Sequence, residues 1–325
     1  MKTLLVGYAA KDLFETLKHG KTRTASWLTP DVTCHCLDIY NRHAIEKVHH
    51  AKAICSAHLP EGPWDEIRFR TGPKLMSGEL SLDILQEIHA LAPDAPIWGG
   101  KGKTNVVVDF VGKERDRNDL ISKIKDDPDR VRSFASTWEA SVPEGKPVTF
   151  TSFPGCFCHR RMDEGGLALA EVALQRTGDP EASDTVHGGC RVLDMGCGCG
   201  LVGLLMASVR PAISLVMVDS HSRAVEAAAL NAKNQGVEAE VILSDSGTPA
   251  RMDGTFDVFV GNPPYYSDYR IAEVFLETAK RALKPGGQCF TVCKNAAGLE
   301  PVQKRYFPEV EVIKRRGYAV LKSIC

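Results

Sequence analysis

From about Gly188 onward, apolar runs and polar breaks follow one another in a regular rhythm. Arg191-Val192-Leu193-Asp194 predicts a short buried strand that ends in a glycine-rich turn, followed by a helix from Leu201 to Val209. Ile213–Val218 predicts a second strand closing on Asp219, and the alanine-rich stretch Ser222–Gln235 a second helix. Ala239–Leu243 is a third strand closed by Asp245, and Phe256–Val260 a fourth. A helix over Ile271–Leu283 is stopped by Pro285-Gly286-Gly287, after which Gln288–Val292 forms a fifth strand. Two further strands fall at Val310–Ile313 and Tyr318–Leu321. Apolar runs of strand length alternating with helical segments predict an α/β fold, a mostly parallel sheet with helices on both faces. Ligands of such sheets bind beyond the carboxyl ends of the strands. Asp194, Asp219, Asp245 and Asn262 all fall at those ends.

The first half repeats the plan in worn form. Leu37-Asp38-Ile39-Tyr40-Asn41-Arg42 resembles Val218-Asp219-Ser220-His221-Ser222-Arg223. Trp64-Asp65-Glu66-Ile67 precedes Pro73 much as Phe256-Asp257-Val258-Phe259 precedes Pro263. Leu82–Leu91 with Pro93 parallels the helix before Pro285 at the same offset, as a tandem duplication requires. The first copy has only Gly7 where the second has a glycine cluster, and Arg70-Thr71-Gly72 where the second has Gly261-Asn262-Pro263. It therefore reads as the fold without the cofactor site. Ser141–Pro147 reads as the linker, giving domains 1–145 and 146–325.

Composition narrows the function classes. With 325 residues and 43% hydrophobic content, the chain can bury two cores. No run approaches the ~20 apolar residues of a membrane span, and the start lacks a signal peptide's apolar region. The expectation is a cytoplasmic protein. The net charge of −1 does not advertise a polyanion binder, so any nucleic-acid contact has to come from a local patch. The mixed charges of Lys101–Arg132 read as a solvated face. The 11 cysteines include three C-x-C pairs, Cys34/Cys36, Cys156/Cys158 and Cys197/Cys199, too close for common structural zinc spacing. They read as reduced thiols, and no metal is expected; Cys156-Phe157-Cys158-His159 is the one metal candidate among them.

Three motifs carry chemistry. Asp194-Met195-Gly196-Cys197-Gly198-Cys199-Gly200 follows a strand, where glycines allow a tight turn and close approach of a ligand. Gly198-x-Gly200-x-x-Gly203 also matches the dinucleotide fingerprint. Asp194 before it would repel a pyrophosphate, and the first turn glycine, Gly196, puts the match out of register. Asp219 is placed to accept hydrogen bonds from ribose hydroxyls, and Asp245 to meet an adenine amino group. Gly261-Asn262-Pro263-Pro264-Tyr265 closes the fourth strand. There the Asn262 side-chain oxygen and the Pro263 carbonyl can each accept a hydrogen from a planar amine, and Tyr265 can stack on a flat base.

These residues resemble the class I S-adenosylmethionine-dependent methyltransferases with an N-P-P-[YF] motif. Within that group the chain is similar to the ribosomal RNA guanine-N2 methyltransferases, whose duplicated architecture has a degenerate N-terminal copy. Phe153-Pro154-Gly155-Cys156-Phe157 and Met162-Asp163-Glu164-Gly165-Gly166 match the segment preceding their catalytic half, whereas Cys158-His159-Arg160-Arg161 departs from it. The resemblance is good over about Phe153–Cys325 and faint over 1–150. It implies a seven-stranded Rossmann-like catalytic domain and methyl transfer to an exocyclic amine. Asp194, Gly196, Gly198, Gly200, Asp219, Asp245 and Asn262 would hold S-adenosyl-L-methionine; Asn262, Pro263 and Tyr265 would hold the amine. The implied partner is ribosomal RNA or a ribosomal subunit, gripped in part by the N-terminal domain. Arg160, Arg161, Lys101 and Lys103 are the candidate phosphate contacts.

Adenine N6 of nucleic acid and a glutamine amide of a protein present nearly the same chemistry at Asn262, so the motif leaves both open. A nicotinamide oxidoreductase leaves Asn262–Tyr265 without a role. A non-catalytic RNA-binding scaffold suits the first half and poorly suits the second.

Overall fold

The apolar runs of the second half become the strands of a seven-stranded sheet, buried on both faces against separate sets of helices. The computed structural model describes residues 1–16, 22–95, 100–101, 104–125, 133–143, 145–177, 189–264 and 269–325. Contacts divide the chain into two units, Met1–Ala135 and Ser136–Cys325.

The first unit contains β1 (Thr3–Val6), β2 (Phe14–Thr16), β3 (Thr22–Thr24), β4 (Val32–Cys36), α1 (Ile39–His49) and β5 (Lys52–Cys55). It continues through β6 (Glu66–Thr71), α2 (Gly78–Leu91), β7 (Gly100–Lys101), β8 (Asn105–Phe110) and α3 (Glu114–Lys125). Its sheet runs β5-β4-β1-β6-β8-β7, with β7 antiparallel to β8 and the other neighbours parallel. Asp38, the counterpart of Asp219 in the repeat, caps α1 by accepting from the N–H groups of Tyr40 and Asn41.

The second unit begins with the hairpin β9 (Ser136–Ala140) and β10 (Val148–Ser152), followed by α4 (Glu164–Arg176). It then alternates β11 (Arg191–Met195), α5 (Leu201–Val209), β12 (Ser214–Asp219), α6 (Ser222–Gln235) and β13 (Ala239–Leu243). After these come β14 (Phe256–Gly261), α7 (Arg270–Ala282), β15 (Leu283–Cys293), α8 (Ala296–Gln303), β16 (Glu311–Arg315) and β17 (Tyr318–Ile324). The seven strands lie in the order β13-β12-β11-β14-β15-β17-β16. The first five are parallel; β17 and β16 are antiparallel to their neighbours. The first unit repeats this order over its own five parallel strands, so the internal duplication read from sequence extends to topology.

Side chains alternate across each strand, and each set meets its own helices. Val192, Met217, Val260 and Phe290 pack with α4, α5 and α6, while Leu193, Val218, Phe259 and Leu321 pack with α7 and α8. Burying each such side chain contributes roughly 1.5–3 kcal/mol. Gly236, with φ of 66°, ends α6 as a left-handed C-cap. No helix among the described residues is long and apolar enough to cross a membrane.

Two expectations of detail change. The division falls at Ala135/Ser136 rather than 145/146, because Ser141–Pro147 spans the β9–β10 hairpin turn. Pro285-Gly286-Gly287 follows a helix that ends at Ala282, and lies inside a bulged β15 rather than before it. There Gly286 (φ 82°) donates to the Cys325 carbonyl at 2.8 Å, and Cys325 N–H returns a bond to the Gly287 carbonyl at 2.8 Å.

Candidate active site

The glycine-rich turn after β11 is held by backbone demands that only glycine meets cheaply. Gly196, Gly198 and Gly200 have φ of 69°, 56° and 88°, the left-handed region. Gly196 and Cys197 N–H groups both donate to the Val218 carbonyl, at 2.7 and 3.1 Å, and Gly200 N–H to the Cys197 carbonyl at 2.8 Å. A Cβ on Gly196 would stand 2.6 Å from Cζ of Phe275, and one on Gly200 2.9 Å from Cδ1 of Leu204. A Cβ on Gly198 would meet nothing within 4 Å. Two glycines therefore fit the turn into its own core, and the middle one opens onto free space.

Asp194 is buried, and its Oδ2 accepts from Gly203 N–H at 2.9 Å. Burial pushes its carboxyl up to about 7; the Gly203 bond opposes that, and the nearby Asp219 adds to it. Gly203 lies in the first turn of α5, whose free N–H groups would otherwise face a phosphate. Asp194 occupies that donor itself, which disfavours a pyrophosphate and with it the dinucleotide reading. Asp219 holds the turn from the other side, accepting from Gly198 N–H through Oδ2 and His221 N–H through Oδ1, each at 2.9 Å. Ser244 N–H donates to the Asp219 carbonyl at 2.9 Å, so half-buried Asp245 stands next along the same ledge.

Asn262 follows Gly261 at the end of β14, half-buried, with Pro263 buried after it. Its Nδ2 donates to Oδ2 of Asp163 at 2.7 Å. Asp163 is the N-cap of α4 and accepts from Gly165 N–H at 3.0 Å. Burial pushes the Asp163 carboxyl up, while the bonds from Asn262, Gly165 and Gly166 pull it down; the net direction is upward. As a carboxylate it can only accept, so it fixes which end of the Asn262 amide faces it and leaves Oδ1 for an incoming amine. Asp163 was not a candidate from sequence, although it sits in the D-E-G-G stretch at 163–166 that carried the resemblance. A second unforeseen residue is Asn231 of α6, fully buried. Its side chain bonds both backbone groups of Thr151 at 2.8 Å and the Cys199 carbonyl at 2.9 Å, tying β10 to the glycine turn.

Of the remaining candidates, Arg161 comes near the pair, its charge helping to pull the Asp163 carboxyl down. Arg160 and Arg161 are exposed between β10 and α4, with the Arg161 side chain bonded to Cys158. Lys101 lies in β7 of the first unit, and its side chain is outside the described residues, as are Tyr265 and Lys103. None of the 11 cysteines is in a disulfide, and burial pushes Cys199 up to about 12, a neutral packing thiol. Among the described residues no group of three or more His, Cys, Asp or Glu side chains could hold a metal ion, so Cys156–His159 does not form one.

Residues 147–322, more than half of the chain, match the family described as Methyltransferase small domain, and the chain belongs to that family. The membership expected from the N-P-P-Y and glycine motifs is thereby borne out. Among curated relatives it is 32% identical over 199 residues to the ribosomal RNA small subunit methyltransferase C of Pseudoalteromonas translucida, covering 59% of this chain and 54% of that one. To the corresponding protein of Hahella chejuensis it is 37% identical over 158 residues, 47% and 42% of the two chains. The chain thus spans about half the length of these relatives. It is 30% identical to YbxB of Bacillus subtilis, over 59% of this chain and 93% of that one. Among solved structures, the T. thermophilus 16S rRNA N2 G1207 methyltransferase (RsmC), in complex with AdoMet and guanosine, matches 100% of this chain and 88% of its own. Its TM-score is 0.73 at 19% identity, a likeness of fold over both units.

Proposed function

We propose that the chain transfers a methyl group from S-adenosylmethionine to an exocyclic amine, the N2 of a guanine in ribosomal RNA. The observation that carries this reading is the Asp163–Asn262 pair at the end of β14, beside a glycine turn that is open at Gly198 alone. That opening, with Asp219 and Asp245 along the same ledge, fits a ligand with a ribose and an adenine. Gly196, Gly198 and Gly200 would lie against its amino-acid portion. When bound, S-adenosylmethionine supplies an activated methyl group on a sulfonium, so the protein's task is alignment rather than activation.

The residues of this chain do that alignment. A guanine N2 lone pair is delocalised into the ring. Oδ1 of Asn262 and the carbonyl of Pro263 accept its two hydrogens, turn the lone pair toward the methyl, and stabilise the positive charge that develops on nitrogen. Asp163 holds the amide so that its oxygen, not its NH₂, meets the donor. Tyr265 would cover the base, which has to leave its helix to reach the site. The names of the ribosomal RNA small subunit relatives favour ribosomal RNA over adenine or a glutamine amide. In the first unit, a Cβ on Gly7 would stand 2.3 Å from the Arg70 carbonyl oxygen. Arg70 itself lies over the Tyr8 ring and pairs with Asp12 at 3.5 Å and Asp109 at 2.5 Å. That filled ledge supports a role in recognising RNA, with Arg160, Arg161, Lys101 and Lys103 as candidate phosphate contacts.

The test is tritium transfer from labelled S-adenosylmethionine to unmodified rRNA, with nucleoside analysis. Label is expected in N2-methylguanosine, and Asn262→Ala should lower turnover by about 10²-fold or more while calorimetric affinity for the cofactor stays within a few-fold. Label in N6-methyladenosine would overturn the base, and label only in protein would overturn the acceptor class.

A further inference from the structure

The strand order divides the ledge at the carboxyl ends into two halves. Asp194, Asp219 and Asp245 stand at the ends of β11, β12 and β13, all on one side of β14. On the other side lie β15, β17 and β16. With the cofactor on the first half, the second half is the side of Asn262 left for an acceptor along the strand ends.

The rim of that second half is Lys294-Asn295, after β15, and the tight turn through Arg316-Gly317 between β16 and β17. Register fixes where Lys294 stands. Gly261 pairs with Thr291, so Lys294 lies three residues beyond the last paired position, at the same end of the sheet as the N-P-P turn. Cys293 pairs with Ala319, which puts Tyr318 on the other flank. The Lys294 ammonium sits 4.1 Å from the centroid of the Tyr318 ring. That ring packs on α4: a Cβ on Gly165 would be 3.1 Å from its Cε1. Gly165 N–H bonds Asp163, and Asp163 holds Asn262, so a continuous line of contacts joins Lys294 to the amide.

The neighbouring cations are already matched. Arg315 and Arg316 both pair with buried Glu171, and Arg316 also with Glu164 at 3.4 Å. Lys294 is exposed, and among the described residues no carboxylate lies within ion-pair distance of it. The Tyr318 face orients the ammonium without neutralising it.

We propose that Lys294, held over Tyr318, binds a phosphodiester of the acceptor strand beside the nucleotide whose base enters the Asn262 site. This rests on the reading that the acceptor is RNA. A compact ammonium on a flexible stem suits a phosphate that must be met as a point charge. Arg161, whose charge reaches Asp163 from the segment between β10 and α4, lies on a different element from Lys294, so the two can be tested separately.

The test uses the full chain and a fluorescein-labelled unmodified rRNA fragment, with anisotropy measured across a salt series and tritium transfer followed in parallel. Lys294→Ala should weaken RNA binding about three- to tenfold at low salt and flatten the slope of log K against log [salt] by ~0.7, the release of one counterion from a single strand. Lys294→Arg should keep the wild-type slope, a rescue that a merely structural role would not give. Wild-type slope and affinity in Lys294→Ala, with RNA methylation intact in the wild type, would overturn this inference and leave the proposed activity standing. Transfer by the wild type to protein and not to RNA would overturn both.

Discussion

Gly198→Ala separates a glycine kept for the chain from one kept for a ligand. Gly198 has φ of 56°, and its Cβ direction is empty to 4 Å. The folded chain therefore bears only the backbone cost of a left-handed alanine, roughly 1–2 kcal/mol. Gly196→Ala adds to a similar backbone cost a methyl 2.6 Å from Cζ and 3.0 Å from Cε1 of Phe275, a core ring that cannot retreat freely. Overpacking of that kind costs about 1–3 kcal/mol more, so Gly196→Ala should be less stable by about 2–5 kcal/mol in all. Cofactor binding should rank the other way relative to stability. The turn cannot shift to make room at Gly198, because Gly196 and Cys197 are bonded to Val218, and Gly198 itself to Asp219. On the proposed placement a methyl there stands where the cofactor would lie, and affinity should fall at least tenfold, about 1.4 kcal/mol. Urea unfolding gives the first quantity and calorimetry with S-adenosylmethionine the second. If Gly198→Ala binds the cofactor as tightly as the wild type, the open space above the turn is not the cofactor's, and the site assignment is wrong.

Two further outcomes concern stability. The Asp194 carboxyl is pushed up from its ordinary 3.8 to about 7, so between those values the folded chain binds a proton that the unfolded chain does not. Its contribution is fully present below about pH 4 and is lost as pH rises through 7, by about 4 kcal/mol at ~1.36 kcal/mol per unit. Urea midpoints of wild type and Asp194→Asn should diverge across that window, and parallel curves would show that Asp194 is not strained by its burial. Asn231→Leu keeps the volume but leaves Thr151 N–H, Thr151 C=O and Cys199 C=O without their partner. At about 1–3 kcal/mol per buried unpaired group the loss should reach about 3–9 kcal/mol, and a urea-derived loss below about 1 kcal/mol would mean that the backbone finds other partners.

What could be read from the sequence was whatever the backbone demands locally. The bounds of α5, α6 and β13 agree with expectation because Gly200 and Gly236 must take left-handed conformations where those helices begin and end, and the apolar period does the rest. Asp194, Asp219 and Asn262 were legible for a related reason: each is polar where a strand's apolar run stops. The misplacements all turn on partners outside the segment itself. Pro285-Gly286-Gly287 has the local signature of a helix stop, and only Cys325 reveals it as part of a strand. Ser141–Pro147 has the composition of a linker, and only the pairing of Val148 with Ala140 makes it a hairpin turn. Asp163 meets Asn262 from 99 residues away, and no periodicity records that. The asparagine proposed to bind the amine could thus be found from its own strand, but the orientation of its amide is a tertiary property. Any chain with the N-P-P turn presents the right atoms; it is the N-cap of a remote helix that decides which of them faces the acceptor.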